Sequence, residues 1–489
     1  MIPFDNSYAR LPEEFYAKLD PTPVEAPRLI KLNRPLCGDL GIDPEAFDTV
    51  AWAEIAAGNR VPDGAEPLAM AYAGHQFGQF VPQLGDGRAI LLGEVIDRNG
   101  VRRDLQLKGS GPTPFSRRGD GRAALGPVLR EYIVAEAMHA FGIPTTRALA
   151  AVTTGEPVYR EEALPGAVLI RIASSHVRVG TFQYFTARRN REAVRQLADY
   201  VIDRHYPEAR AQAQPYVALL EGVVARQAKL IARWMNVGFI HGVMNTDNMS
   251  IAGETIDYGP CAFMDAYDPA TVFSSIDQMG RYAYANQPGI AQWNLARLAE
   301  TLLPLLADDE NAALAAANAA IGRFAELFET AWHAGLLRKL GLTGEDEEDL
   351  ALVQALFNEM QAQGADFTLT FRRLGDSLRS PAARDELETL FGGSSAFADW
   401  RTAWTARSSI DGRSDAVRAQ AMAEVNPLYI PRNHRVEQAL AAAVRDADYR
   451  PFERLLTVLS EPFVERAGFE AYTQPAAPHE RVTKTFCGT

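Results

Sequence analysis

The stretch HGVMNTDNMS, residues 241–250, brings a histidine, an aspartate and two asparagines within ten positions. Asp247 beside Asn248 pairs a carboxylate that can take a proton with an amide oxygen that can bind a hard divalent cation. Nine residues on comes Asp257-Tyr258-Gly259, a second oxygen ligand followed by a glycine that frees the backbone to turn. The short SIAGETI between them reads as a tight hairpin with Gly253 at its turn, setting Asn248 beside Asp257. Metal-assisted chemistry on a phosphate is the natural use of that geometry, with two turn carboxylates as the bland alternative.

Phosphate chemistry also needs cations. Lys108 ends the alternating segment Asp104-Leu105-Gln106-Leu107-Lys108, and a lysine turned inward there needs a negative partner, which Glu131 or Glu136 on the following helix would supply, a surface lysine at a strand end being the commoner alternative. In Gly85-Asp86-Gly87-Arg88 two small residues allow close backbone approach and Arg88 adds charge, although such a segment is also an ordinary hairpin turn. PFSRRGDGRAAL places Arg117, Arg118 and Arg122 around Gly119-Asp120-Gly121, just before a helix start whose free amides attract anions. Arg171 interrupts the apolar strand VLIRIA, and Arg178 follows it closely; structural salt bridges are the competing use of any one of these arginines.

These residues need elements to hold them. Residues 1–65 are punctuated by proline and read as an extension, with Leu29, Ile30 and Leu32 forming a strand. From 80 to 108 an apolar run, a turn at Arg98-Asn99-Gly100 and the alternating strand predict antiparallel hairpins. An amphipathic helix follows over 123–142, stopped by Gly142 and Pro144. Strands are expected near 146–153 and 167–174, then helices almost to the end, including a long one over 215–239 that delivers the chain to His241. The order predicts an α+β protein: the extension, a β-rich lobe over 66–180, and a larger, mostly helical lobe over 181–489.

With 489 residues, 47% hydrophobic and 23% charged, the chain has the composition of a folded multi-lobed protein. A net charge of −13 argues against nucleic-acid and membrane-surface partners, so any phosphate site has to be built locally. No apolar run is long enough to span a bilayer and the first residues resemble no signal or transit peptide, which makes a cytoplasmic protein the expectation, with a monomer as the default. Three cysteines and eight histidines show no zinc-site spacing.

In the protein-kinase pattern H-R-D-x-x-x-x-N the aspartate takes the acceptor's proton and the asparagine holds magnesium. Here His241 and Asn248 align with the first and last positions, but Val243 stands where the aspartate belongs. The chain resembles the selenoprotein O (SelO, YdiU) family through YAGHQFGQF, QLGDGR, LKGSGPTPFSRRGDGRAAL, REYIVAEAM, HGVMNTDNMS, IDYGP and a cysteine third from the C-terminus. That resemblance covers nearly the whole chain and implies a protein-kinase-like bilobal fold. It implies an adenylyltransferase that binds ATP inverted and moves AMP onto Ser, Thr or Tyr hydroxyls of proteins, releasing pyrophosphate. Gly85, Gly87, Arg88, Lys108, Asp120, Gly121, Arg171 and Arg178 would contact the nucleotide, with Glu131 paired to Lys108. Asn248 and Asp257 would hold Mg2+, with Mn2+ left open as the alternative, and Asp247 would accept the proton.

The resemblance also links Cys487 to redox control. Some relatives carry a second cysteine about fifteen residues after the DYG motif, whereas this chain reads ATVFSS there and has Cys261 directly after Pro260. Cys261 equally suits a small buried hydrophobe, so the partner of Cys487 stays open. Two other readings compete with AMP transfer: an ordinary phosphotransferase using Asp247, and a nucleotide-sensing pseudokinase in which Val243 marks lost catalysis.

Overall fold

The computed structural model describes residues 2–344 and 346–486. Its main sheet is antiparallel, built from β1 (Tyr16–Lys18), β2 (Arg28–Leu32), β3 (Leu68–Met70), β6 (Ala89–Ile96), β7 (Arg102–Lys108), β9 (Arg147–Tyr159) and β10 (Ala163–Ala173) in the order β1-β3-β6-β7-β10-β9-β2, with β8 (Ala123–Ala124) pairing β10. A separate hairpin is formed by β4 (Gly74–Gln76) and β5 (Gln79–Val81), and a short pair by β11 (Phe239–Ile240) and β12 (Ala262–Phe263). Residues 1–65 therefore do more than drape over the sheet, because β1 and β2 are the strands at its two ends.

The alternation in β7 sorts its side chains by face. Leu105 and Leu107 join a core with Val168, Ile170 and Ile172 of β10 and with the helix α2 (Thr49–Ala57), which follows a short α1 (Arg34–Asp39). On the opposite face Gln106 lies directly across from Arg171, and Lys108 across from Leu169. Period-two geometry thus brings the interior lysine and arginine to the same side of neighbouring strands. The same face carries α3 (Leu125–Ala140), whose Val128, Leu129 and Tyr132 pack with Ala148, Ala151 and Leu169.

Beyond the sheet come α4 (Val179–Ala187), α5 (Arg191–His205), α6 (Pro215–Asn236), α7 (Gln287–Leu306), α8 (Glu310–Lys339), α9 (Asp349–Gln363) and α10 (Phe367–Asp376), with further helices between Pro381 and Leu459. The last two of these, Asn433–Asp446 and Arg450–Leu459, turn back to pack on α3. The largest apolar core runs continuously from Tyr8 and Phe15 through Met138 to the helical residues Leu295 and Phe367. Among the described residues no helix is long and apolar enough to cross a membrane.

Two local expectations change. β9 and β10 are longer than their apolar runs, because Pro157 and Pro165 pair with each other in the ladder and Gly155 falls in the register shift beside them, so that none of the three ends a strand. The segment 250–256 is not a hairpin: Ser250 bridges Arg178 and Thr255 bridges Thr145, so its two arms pair with other parts of the chain. Gly253 still turns with φ +78°.

Candidate active site

β6, β7 and β10, the start of α3 and the loop after β11 enclose a cavity of about 770 Å³. Gly85, Gly87, Arg88, Lys108, Asp120, Gly121, Glu131, Arg171, Arg178, Asp247, Asn248 and Asp257 all line it. Basic side chains outnumber acidic ones along its wall, against the overall charge of the protein.

At its centre Asp257 adopts φ +58°, a left-handed conformation that aspartate tolerates better than most residues. Its carboxylate receives Lys108 Nζ at 3.2 Å and Arg178 at 2.7 Å, and Arg171 bonds to the same group. Burial pushes its pKa up, but the charges of Arg171, Arg178 and Lys108 outweigh that and hold it well below the carboxylate range. Lys108 also donates to Glu131 at 2.5 Å, and Arg171 reaches the other Glu131 oxygen at 3.2 Å. Of the two helix glutamates the sequence offered, Glu136 is engaged elsewhere, by Arg147 and Asn33.

Asp247 sits in a single 3-10 turn, Thr246–Asn248, behind β11. Burial raises its carboxyl to about 6, against the pull of Arg178. Its Oδ2 accepts from Gln76 at 3.3 Å, whereas the buried Oδ1 has no hydrogen-bond partner among the described residues. The β4–β5 hairpin clamps this turn: His75 N–H donates to Thr246 Oγ1 at 2.7 Å and Phe77 N–H to Asn245 Oδ1 at 3.0 Å. Asn248 Nδ2 donates to the Val243 carbonyl at 2.9 Å, which leaves its Oδ1 for another partner. His241 is structural here, bonded to the Ile256 carbonyl and stacked on Trp234.

The donor set suits a magnesium-like ion: the Asn248 amide and Asp257 carboxylate are hard oxygens, and the unpartnered Asp247 Oδ1 lies in the same cavity. No group of three or more His, Cys, Asp or Glu placed to hold a metal occurs among the described residues, so phosphate and water oxygens would have to complete the shell.

The basic segment 117–122 splits. Arg117 lines the cavity without an ion pair among the described residues, Arg122 donates back to the Thr22 and Pro23 carbonyls, and Arg118 stays outside the cavity wall. Asp120 is held by Arg160. Gly85 has φ +81°, and a Cβ there would sit 2.3 Å from the Phe115 ring, so packing as well as phosphate access requires its small size.

Several neighbours were not legible as site residues. Gln106 accepts from Arg171 at 2.7 Å and donates to Asp86 at 3.0 Å, fixing the arginine from behind. Tyr72 lies under the Arg178 guanidinium at 4.5 Å, and Gln76 touches Asp247. For Gln106 the alternation of β7 was an available signal, since it shares the face of Lys108. For Tyr72 and Gln76 the contacts arise only when residues far apart in sequence meet.

The family model for SelO, described as protein adenylyltransferase SelO, matches residues 1–460. This chain belongs to the SelO family. A protein nucleotidyltransferase YdiU from Rhizobium johnstonii is 65% identical over 488 residues, covering 100% of this chain and 97% of that protein. Another of the same name, from Bradyrhizobium diazoefficiens, is 64% identical over 488 residues, covering 100% and 99%. The SelO-family chain is accordingly a nucleotidyltransferase, and the cavity above is where its nucleotide chemistry is best sought.

Proposed function

We propose that this SelO-family enzyme transfers AMP from inverted ATP to Ser, Thr or Tyr hydroxyls of proteins, with Mg2+, in a kinase-like bilobal fold. One observation carries the reading: a buried carboxylate oxygen without a partner among the described residues, on Asp247, shares a cavity with a lysine–arginine cluster, while Val243 occupies the position of a kinase base. The acceptor hydroxyl oxygen forms a bond to the α-phosphorus as the bond to the β-phosphate oxygen breaks, and pyrophosphate leaves. The hydroxyl proton goes to Asp247, whose raised pKa brings it closer to neutrality and so makes it a better acceptor than an exposed aspartate.

Lys108, Arg171 and Arg178 turn from Asp257 toward the phosphates as these arrive, with Glu131 and Gln106 keeping Lys108 and Arg171 in place. Arg88 and Arg117, with no ion pair among the described residues, supply charge for the leaving group that an inverted nucleotide would present. A bound Mg2+ would neutralise charge on the phosphate oxygens, held by Asn248 and Asp257.

The test is incubation of the protein and candidate substrates with ATP labelled at the α- or the γ-phosphate. Label from the α-position alone on protein is expected. Label from γ alone would make the enzyme a phosphotransferase, and tight ATP binding with no label from either would make it a sensor.

Redox control belongs to the same reading. Cys487 lies outside the described residues, but Thr485 Oγ1 donates to the Pro260 carbonyl at 2.5 Å and its backbone pairs with Ser274, beside the buried Cys261. Support for a link between the tail and the Asp257 loop comes from that contact. Thiol counting under oxidising and reducing conditions, with a peptide map, tests it: Cys487 must be found cross-linked after oxidation.

A further inference from the structure

Away from the nucleotide cavity, a second hollow of about 230 Å³ lies between the turn after α3, the C-terminal ends of α6 and α8, and the chain around Glu424. Lys339 lines it, 3% exposed, on the last turn of α8. Its ammonium lies 4.2 Å from the centre of the Phe371 ring and 5.5 Å from that of Phe367, and no carboxylate, carbonyl or hydroxyl among the described residues bonds to it. Burial lowers its pKa to about 7. A lysine so placed is costly unless an anion joins it.

Two more cations line the same hollow. Arg233 of α6 donates through one nitrogen to the Gly142 carbonyl at 2.7 Å, and Arg338 of α8 only weakly to Ala334, at 3.3 Å. Neither has an ion pair among the described residues. The one carboxylate in the wall, Glu424, is exposed and accepts from Gln420 at 3.1 Å. Asn236, also in the wall, keeps a buried Oδ1 with no partner among the described residues, and is pressed so closely on Gly335 that a Cβ there would sit 2.0 Å from its amide nitrogen. The wall of the hollow thus carries three basic residues and an asparagine whose oxygen is unpaired among the described residues, in a protein whose net charge is −13.

We propose that this hollow is a binding site for a small anion bearing a phosphate or carboxylate group, seated between Lys339, Arg233 and Arg338. A hydroxyl or N–H on that ligand would satisfy Asn236. The site is separate from the nucleotide cavity, with which it shares no lining residue.

The experiment is calorimetric titration of the full chain, with its nucleotide site saturated by a non-hydrolysable ATP analogue and Mg2+, using inorganic phosphate in one arm and succinate in the other. Saturable binding of at least one anion is expected, weakened about tenfold or more by Lys339→Met, as loss of one charged hydrogen bond predicts. Methionine fills the same apolar path along Phe367 and Phe371, so the variant should fold; if it does not, Arg338→Gln, an exposed position, is read in its place. Saturation by neither anion, or unchanged affinity in the variant that is read, overturns the proposal and leaves Lys339 as a core lysine.

Discussion

Lys108, Arg171 and Arg178 converge on Asp257, and no single one of the three carries the fold. In Lys108→Ala, Arg171 still contacts both Glu131 and Asp257, so a stability loss of about 1–3 kcal/mol is expected. AMP transfer, measured as α-label on protein, should fall about a hundredfold or more if, as proposed, the lysine serves the phosphates. Asp247→Asn separates chemistry from stability more sharply. Transfer should drop about 10²- to 10⁴-fold. The metal-free protein, by contrast, should melt higher at pH 7, by about 1–3 kcal/mol, because a carboxylate raised from 3.8 to about 6 is disfavoured in its ionised form by the fold and asparagine removes that charge. A melting point lowered by Asp247→Asn would contradict the burial argument. Lys108 was legible because the alternating strand sets it on the face of Gln106 and not with Leu105 and Leu107, whereas the helix offered both Glu131 and Glu136 and only the family resemblance chose between them. Tyr72 and Gln76 were not legible, because nothing in YAGHQFGQF itself says which loop it will meet.

At the scale of elements, the β4–β5 hairpin acts as a splint for the turn that holds Asp247, the proposed proton acceptor. A Cβ on Gly74 would lie 2.5 Å from Asp247 Oδ1 and 3.0 Å from its Cβ, so Gly74→Ala must move the Asp247 side chain. A displacement on the order of an ångström at a reacting group costs about 10²-fold in rate. Gly74→Ala should therefore cut transfer by tens- to a hundredfold while the melting temperature changes little, and parent-like transfer would show that the hairpin does not position Asp247. The hairpin's own strands are too short for periodicity to mark them. The misread segment 250–256 has a similar origin: a central glycine between short arms predicts a hairpin only when the arms lack better partners, and Arg178 and Thr145 provide them.

Over the whole molecule, one core joins segments expected to lie in separate lobes, since it includes Tyr8, Met138 and Leu295. A buried polar network reinforces that joint. Arg204 of α5 bonds to both Glu94 of β6 and Asp104 of β7, and His176 Nδ1 lies 2.9 Å from Asp104. Burial lowers the His176 pKa from 6.5 to about 4, so between those values the unfolded chain binds the extra proton and the folded protein does not. The stability this neutral histidine contributes is complete above pH 6.5 and is lost progressively toward pH 4, by about 3 kcal/mol at most. His176→Asn, which cannot titrate, should show a flatter dependence of denaturation midpoint on pH between 7 and 5 than its parent; parallel curves would exclude His176 as the cause. Composition and element order announced sheet before helices, but not this joint, because it is assembled from single residues of β6, β7 and α5.

Asp257 has a consequence for turnover. With no nucleotide present, its carboxylate is the shared ion-pair partner of the three cations that the proposed chemistry hands to the phosphates. When pyrophosphate departs, those cations have a resident anion to return to rather than being left bare in a buried wall. On the proposed chemistry, product release, a step that often limits enzymes with charged products, would thereby be eased, and nucleotide affinity moderated by the same exchange.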